Sequence, residues 1–225
     1  MRPKIEIEQV SVPLNLNLRQ IKSLSMILSQ KRFHFCGSSS SQIGRMEQFW
    51  IFGYGSLMWR PGFAFLRSEP ARVHGYHRRL CVYSYVHRGT PEQPGLVLGL
   101  DRGGSCHGVA FEVAAERWED TIAYLRAREQ VTSVYLERRK TVTLIGSGQR
   151  VEATTYVVDR AHRQYAGVLD DDALEHHVRL GQGASGHCTD YVKNTIAHLR
   201  EMRIQDPALE RLARRLDLQA ASNSS

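Results

Sequence analysis

The chain has 225 residues, 42% of them hydrophobic and 24% charged, with a formal net charge of +7. Such a composition suits a globular protein with one substantial core; it excludes disordered and collagen-like classes, and no apolar run reaches the roughly 18 residues of a membrane span. The charge is unevenly placed: seven Lys/Arg and two Asp/Glu lie in residues 1–45, so only +2 remains for residues 46–225, and no basic strip interleaved with aromatics marks a nucleic-acid surface.

Residues 1–45 include "SLSMILS", too broken by serine for a secretory signal, and "SSSSQIGR". This stretch reads as a leader outside the fold, and Met46, directly before the first strong strand pattern, reads as a later start. A single domain is expected over residues 46–225. Phe49 to Tyr54 is a strand pattern, and Arg72 to Arg88, rich in Val and Tyr, is a second with a bulge at Gly75. "GLVLGL" and "CHGVAFEV" flank Asp101-Arg102-Gly103-Gly104-Ser105 as a hairpin would, and "YLERRKTVTL" and "RVEATTYVV" flank Ile145 to Gln149 as another. Helical patterns cover Ala115 to Arg128, Asp171 to Leu180, Tyr191 to Arg203, and a last segment opened by Asp206-Pro207, a cap residue and an N1 proline. Strands in hairpins with inserted and trailing helices give an α+β class, a mainly antiparallel sheet or small barrel.

Cys36, Cys81, Cys106 and Cys188 are scattered with no zinc-like spacing, and the paired histidines, His74 with His77 and His176 with His177, lack partner ligands. A reduced, cytoplasmic chain without a bound metal is expected.

Two features point to chemistry. Along "AAERWEDTIAYLRAREQ", Trp118, Ile122 and Leu125 share one helical stripe, and Glu129 falls in the middle of it. A carboxylate there loses water, and either a covering arginine such as Arg126 or Arg128 pairs with it or its pKa rises toward that of a general base. The second feature is "FWIFGYGSLMW". Gly53 and Gly55 free the backbone at a strand end to take φ > 0 and gather N–H groups around an anion, with the Tyr54 and Ser56 hydroxyls beside them. Ser56 lacks the G-x-S-x-G context of a nucleophile elbow; Cys81 or Cys188 with a histidine would also make a hydrolase, but Cys81 lies in a strand pattern where a thiol is ordinarily inert. Arg78, Arg79 and Arg88 carry the fork that meets carboxylates, and Tyr156 lines a site from its strand.

The order of "FGYGSL", His87-Arg88-Gly89, Pro94-Gly95, "GVAFEV", "YLRARE" and "ASGHCTDYV" resembles the ChaC-type gamma-glutamylcyclotransferases over most of residues 48–203. The resemblance implies a compact β-barrel with flanking helices and an enzyme, needing no cofactor, that degrades glutathione to 5-oxoproline and cysteinylglycine. It implies that Tyr54, Gly55, Ser56 and Leu57 hold the gamma-glutamyl group, that Glu129 is the catalytic glutamate, and that Tyr191 belongs to the substrate site. The chain departs from the family pattern after the glutamate, with Gln130-Val131-Thr132-Ser133-Val134-Tyr135, and at His187 and Cys188, where relatives often carry Arg and Asn. Two rival readings stay open on the residues: a non-catalytic sensor of gamma-glutamyl metabolites or transporter partner, and a Ser- or Cys-dependent amidase.

Overall fold

The computed structural model describes residues 48–129 and 133–216. The leader expected over residues 1–45, the start at Met46 and the first three residues of the departure after Glu129 lie outside them. Five strands close a barrel in the order β1-β3-β2-β4-β5: β1 (Phe49–Gly53), β2 (Arg67–Ser84), β3 (Gly95–Val113), β4 (Tyr135–Leu144) and β5 (Arg150–Val158). All pairings are antiparallel except β1 with β5, where Trp50 faces Ala153 and Ile51 faces Thr154. The Thr155 hydroxyl donates to the Phe52 carbonyl at 2.9 Å and reinforces that seam.

The apolar run of β1 is a strand covered on both faces, and Trp50, Ile51 and Phe52 are buried with Leu96, Leu100, Phe111 and Tyr156 in one core. Among the described residues four α-helices flank the barrel: α1 (Trp118–Glu129), α2 (Asp171–Leu180), α3 (Cys188–Glu201) and α4 (Pro207–Arg215). The Asp170 and Asp206 carboxylates accept the Ala173 and Leu209 amides, so α2 and α4 begin at capping aspartates. Among the described residues no helix is long and apolar enough to cross a membrane.

The hairpin expected around Asp101 to Ser105 is absent: β3 runs unbroken for 19 residues beside β2. The register jumps from His74 opposite Ser105 to Tyr76 opposite Arg102, and Gly75, Gly103 and Gly104 all have positive φ. The glycines absorb a kink in a continuous ladder, the bulge foreseen at Gly75, rather than reversing the chain. Helix α3 also starts at Cys188, three residues before the expected Tyr191. The Cys188 thiol is buried against the Leu96 backbone, with its sulfur 3.1 Å from the carbonyl and 3.3 Å from the amide, and this tertiary contact draws a loop-like sequence into the helix.

Asp101 is fully buried beside that kink. Burial alone would raise its carboxyl, but hydrogen bonds from Arg160 at 2.6 Å, the Tyr165 hydroxyl at 2.8 Å and the Arg102 amide at 2.8 Å outweigh it and hold the pKa below the usual range. A carboxylate with a lowered folded pKa stabilises the fold above its unfolded value and ceases to do so as pH falls through the folded one. Urea unfolding should therefore show stability dropping below about pH 4, with a shallower acid limb in Asp101→Asn.

Candidate functional site

The site arises because β1 and β3 differ in length. Strand β1 pairs with β3 only from Val109 to Val113 and ends at Gly53, so the other edge of β3 near Leu98 lacks a strand neighbour. The chain fills that gap with Tyr54, Gly55 and a single 3-10 turn, Ser56–Met58. Neither Gly53 nor Gly55 takes the positive φ expected of it. A Cβ on Gly53 would lie 3.0 Å from the Leu57 Cβ, so this glycine serves close approach of the turn to the strand end. The Ser56 and Leu57 amides make no hydrogen bond to a protein group among the described residues.

The turn opens onto a cavity of about 710 Å³, inside the range of about 300–1,000 Å³ typical of small-molecule sites. Of the candidates, Tyr54, Gly55, Ser56, Leu57, Arg88, Glu129, Tyr156 and Tyr191 line it. The free edge of β3 is taken up by two tyrosines. The Tyr135 hydroxyl donates to the Leu98 carbonyl at 2.7 Å, and the Leu98 amide donates to the Tyr191 hydroxyl at 3.2 Å. Burial pushes the Tyr191 phenol up to about 12 and those of Tyr54 and Tyr135 well above the ordinary range, so all three stay neutral O–H groups.

Glu129 is the last residue of α1, on the stripe that buries Ile122 and Leu125. Its side chain is 20% exposed, and burial raises its pKa above the ordinary glutamate value, while the Arg128 guanidinium opposes the rise from 3.2 Å. Only the Nε of that arginine faces Glu129, and its two other nitrogens are engaged elsewhere. Arg128 donates to the Ser56 hydroxyl at 2.9 Å, the Arg60 carbonyl at 2.8 Å and the Tyr124 hydroxyl at 3.0 Å, which ties the 3-10 turn to the end of α1. Arg126 points away and forks onto Glu137, with two contacts of 2.8 Å. Glu129 thus remains a cavity carboxylate that its neighbour only partly compensates.

Of the three arginines read as carboxylate binders, the structure brings only Arg88 to the cavity. Arg88 donates to the Ser185 and His187 carbonyls and stacks over Tyr191 at 5.4 Å. Arg78 is buried behind the turn, where it donates to the Tyr54 carbonyl at 2.6 Å and the His107 carbonyl at 2.7 Å and pairs with Asp206 at 3.3 Å. Its place inside a strand gave no sign that it clamps the loop instead of facing substrate; Arg79 does not line the cavity either. Tyr135, Arg128, Asn194 and His198 were missed as site residues. Of these, only the helical spacing of Tyr191, Asn194 and His198 could have placed them on one face.

A model of the family described as "ChaC-like protein" matches residues 49–218. The chain belongs to that family. Among ChaC-like relatives it is 32% identical over 163 residues to an Escherichia coli K12 protein named glutathione-specific gamma-glutamylcyclotransferase, covering 72% of this chain and 70% of that one. It is 36% identical over 154 residues to the human glutathione-specific gamma-glutamylcyclotransferase 1, covering 66% and 68%. The barrel also matches the crystal structure of a glutathione-specific gamma-glutamyl cyclotransferase from yeast, with a TM-score of 0.68 and 22% identity over 79% of this chain and 99% of that one. The family's barrel with flanking helices is the architecture found here.

Proposed function

We propose that this ChaC-like protein degrades glutathione, closing its gamma-glutamyl group to 5-oxoproline and releasing cysteinylglycine. The observation that carries this reading is the carboxylate of raised pKa, Glu129, on the same cavity as the Tyr54–Leu57 turn. The relatives' names point the same way.

The chemistry needs no water and no added group. The α-ammonium of the gamma-glutamyl unit cannot attack while protonated, and Glu129 removes that proton. The freed amine lone pair adds to the γ-carbonyl carbon to close a five-membered ring, and the carbonyl π pair moves onto oxygen. The Ser56 and Leu57 amides, without a partner among the described residues, serve as the donors to that oxyanion. Collapse re-forms the carbonyl and breaks the bond to the cysteinyl nitrogen, which takes the proton held by Glu129, while the ring nitrogen, cationic after its attack, passes its second proton through the emptied Glu129 carboxylate to the freed amine. Arg88 meets a substrate carboxylate, while Tyr54, Tyr156 and Tyr191 wall the glutamyl chain into an attacking conformation; effective molarities for oriented intramolecular reactions reach roughly 10⁵ M or more.

The amidase reading finds no support in the geometry. Ser56 is partnered by Arg128, not by a histidine, and Cys81 is buried outside the cavity with its thiol pushed up to about 12, first by burial and then by the charge of Asp101. The reading places the protein in a reducing cytoplasm, in keeping with the buried free thiols of Cys81, Cys106 and Cys188. Incubating the purified protein with glutathione should yield 5-oxoproline and cysteinylglycine in equal amounts. Free glutamate would favour an amidase, and binding without any product would favour a sensor.

A further inference from the structure

Among the described residues three arginines line the cavity, Arg60, Arg88 and Arg128, and they are not equally occupied. Arg128 is used by Ser56, Tyr124, the Arg60 carbonyl and Glu129, and Arg88 commits one nitrogen to two carbonyls. The exposed Arg60 guanidinium has no hydrogen bond or ion pair among the described residues. Its backbone is nonetheless held in place: the Arg60 amide donates to the Ser56 carbonyl at 2.8 Å. Next to it, Trp59 stacks on His198 with ring centroids 4.5 Å apart, and His198 Nδ1 lies 3.1 Å from Glu201, which orients the imidazole. One turn earlier on α3, the exposed Asn194 lines the same cavity with its amide unengaged among the described residues.

A free guanidinium on a held backbone, an aromatic pair and an unused amide thus line one cavity, a set of groups suited to a carboxylate. We propose that Arg60, with Trp59, Asn194 and His198, binds the C-terminal carboxylate of the departing dipeptide and selects substrates that carry one. The assignment rests on the cyclotransferase reading, in which the substrate has two carboxylates. The gamma-glutamyl end goes inward to Glu129 and the buried tyrosines, so the peptide end meets the rim. Arg88 serves one carboxylate and Arg60 the other.

The test uses the full chain and two ligands, glutathione and glutathione amidated at its glycine carboxyl, with both binding by calorimetry and 5-oxoproline formation measured. The wild type should favour glutathione over the amide by about tenfold or more, as one charge-assisted contact supplies. Arg60→Ala should erase that preference through KM and binding, and Arg60→Lys should restore part of it. An equal preference in wild type and Arg60→Ala, or no binding of glutathione by the wild type, overturns the subsite. If selective binding is lost in Arg60→Ala while the wild type makes no 5-oxoproline, the subsite stands and the cyclisation reading falls.

Discussion

Glu129→Gln should bind glutathione about as well as the wild type yet form 5-oxoproline at least about 10²-fold more slowly, because glutamine keeps the shape of the side chain and cannot accept the ammonium proton. The variant should also melt no lower than the wild type. Burial raises the Glu129 pKa in the folded chain, so ionisation at neutral pH works against folding, and a neutral amide removes that cost. A structural carboxylate would behave oppositely: its loss would lower the melting temperature and leave turnover per folded molecule near normal. The same raised pKa sets the pH profile. The ionised form is the working base, so kcat/KM should rise with pH through a value above that of an ordinary glutamate. In Glu129→Gln that limb should vanish. Wild-type turnover in the variant, or an acid limb that persists in it, would remove Glu129 from the mechanism.

Much of this site was legible in the sequence, and what was not shares a physical origin. Glu129 could be found because a helix repeats every 3.6 residues, so one acid on an apolar stripe stands out without tertiary knowledge. The turn after β1 could be found because two glycines interrupt a buried strand, although the reason turned out to be contact between Gly53 and Leu57 rather than positive φ. Strand β3 was misread as a hairpin, since Asp-Arg-Gly-Gly-Ser has the composition of a turn. Whether such glycines reverse the chain or kink it depends on the partner strand, and β2 carries the matching Gly75 on the far side of the ladder. Arg78, Arg88 and Arg128 look alike in one dimension. They differ only in which carbonyls and hydroxyls surround each guanidinium after the barrel closes, and local pattern does not encode that.

Arg78 carries the second large expectation. Its side chain is 3% exposed, and its Nε, Nη1 and Nη2 reach the Tyr54 carbonyl, Asp206 and the His107 carbonyl. The Tyr54 carbonyl belongs to the turn that carries the candidate oxyanion donors, so the guanidinium fixes the turn from behind without touching substrate. Arg78→Met keeps the bulk and removes every donor. It leaves Asp206, itself 13% exposed, without its cation, and breaking such a buried pair costs about 3–5 kcal/mol, enough to lower the melting temperature sharply. Lysine separates the loss of stability from the loss of positioning. Arg78→Lys retains a charge for Asp206 but lacks the fork that spans the Tyr54 and His107 carbonyls together. It should therefore stay folded while kcat drops by about 10²-fold, the usual effect of displacing reacting groups by about 1 Å. A folded Arg78→Lys with wild-type kcat would show that the turn holds its geometry without the clamp, through the Arg128–Ser56 contact on its cavity side.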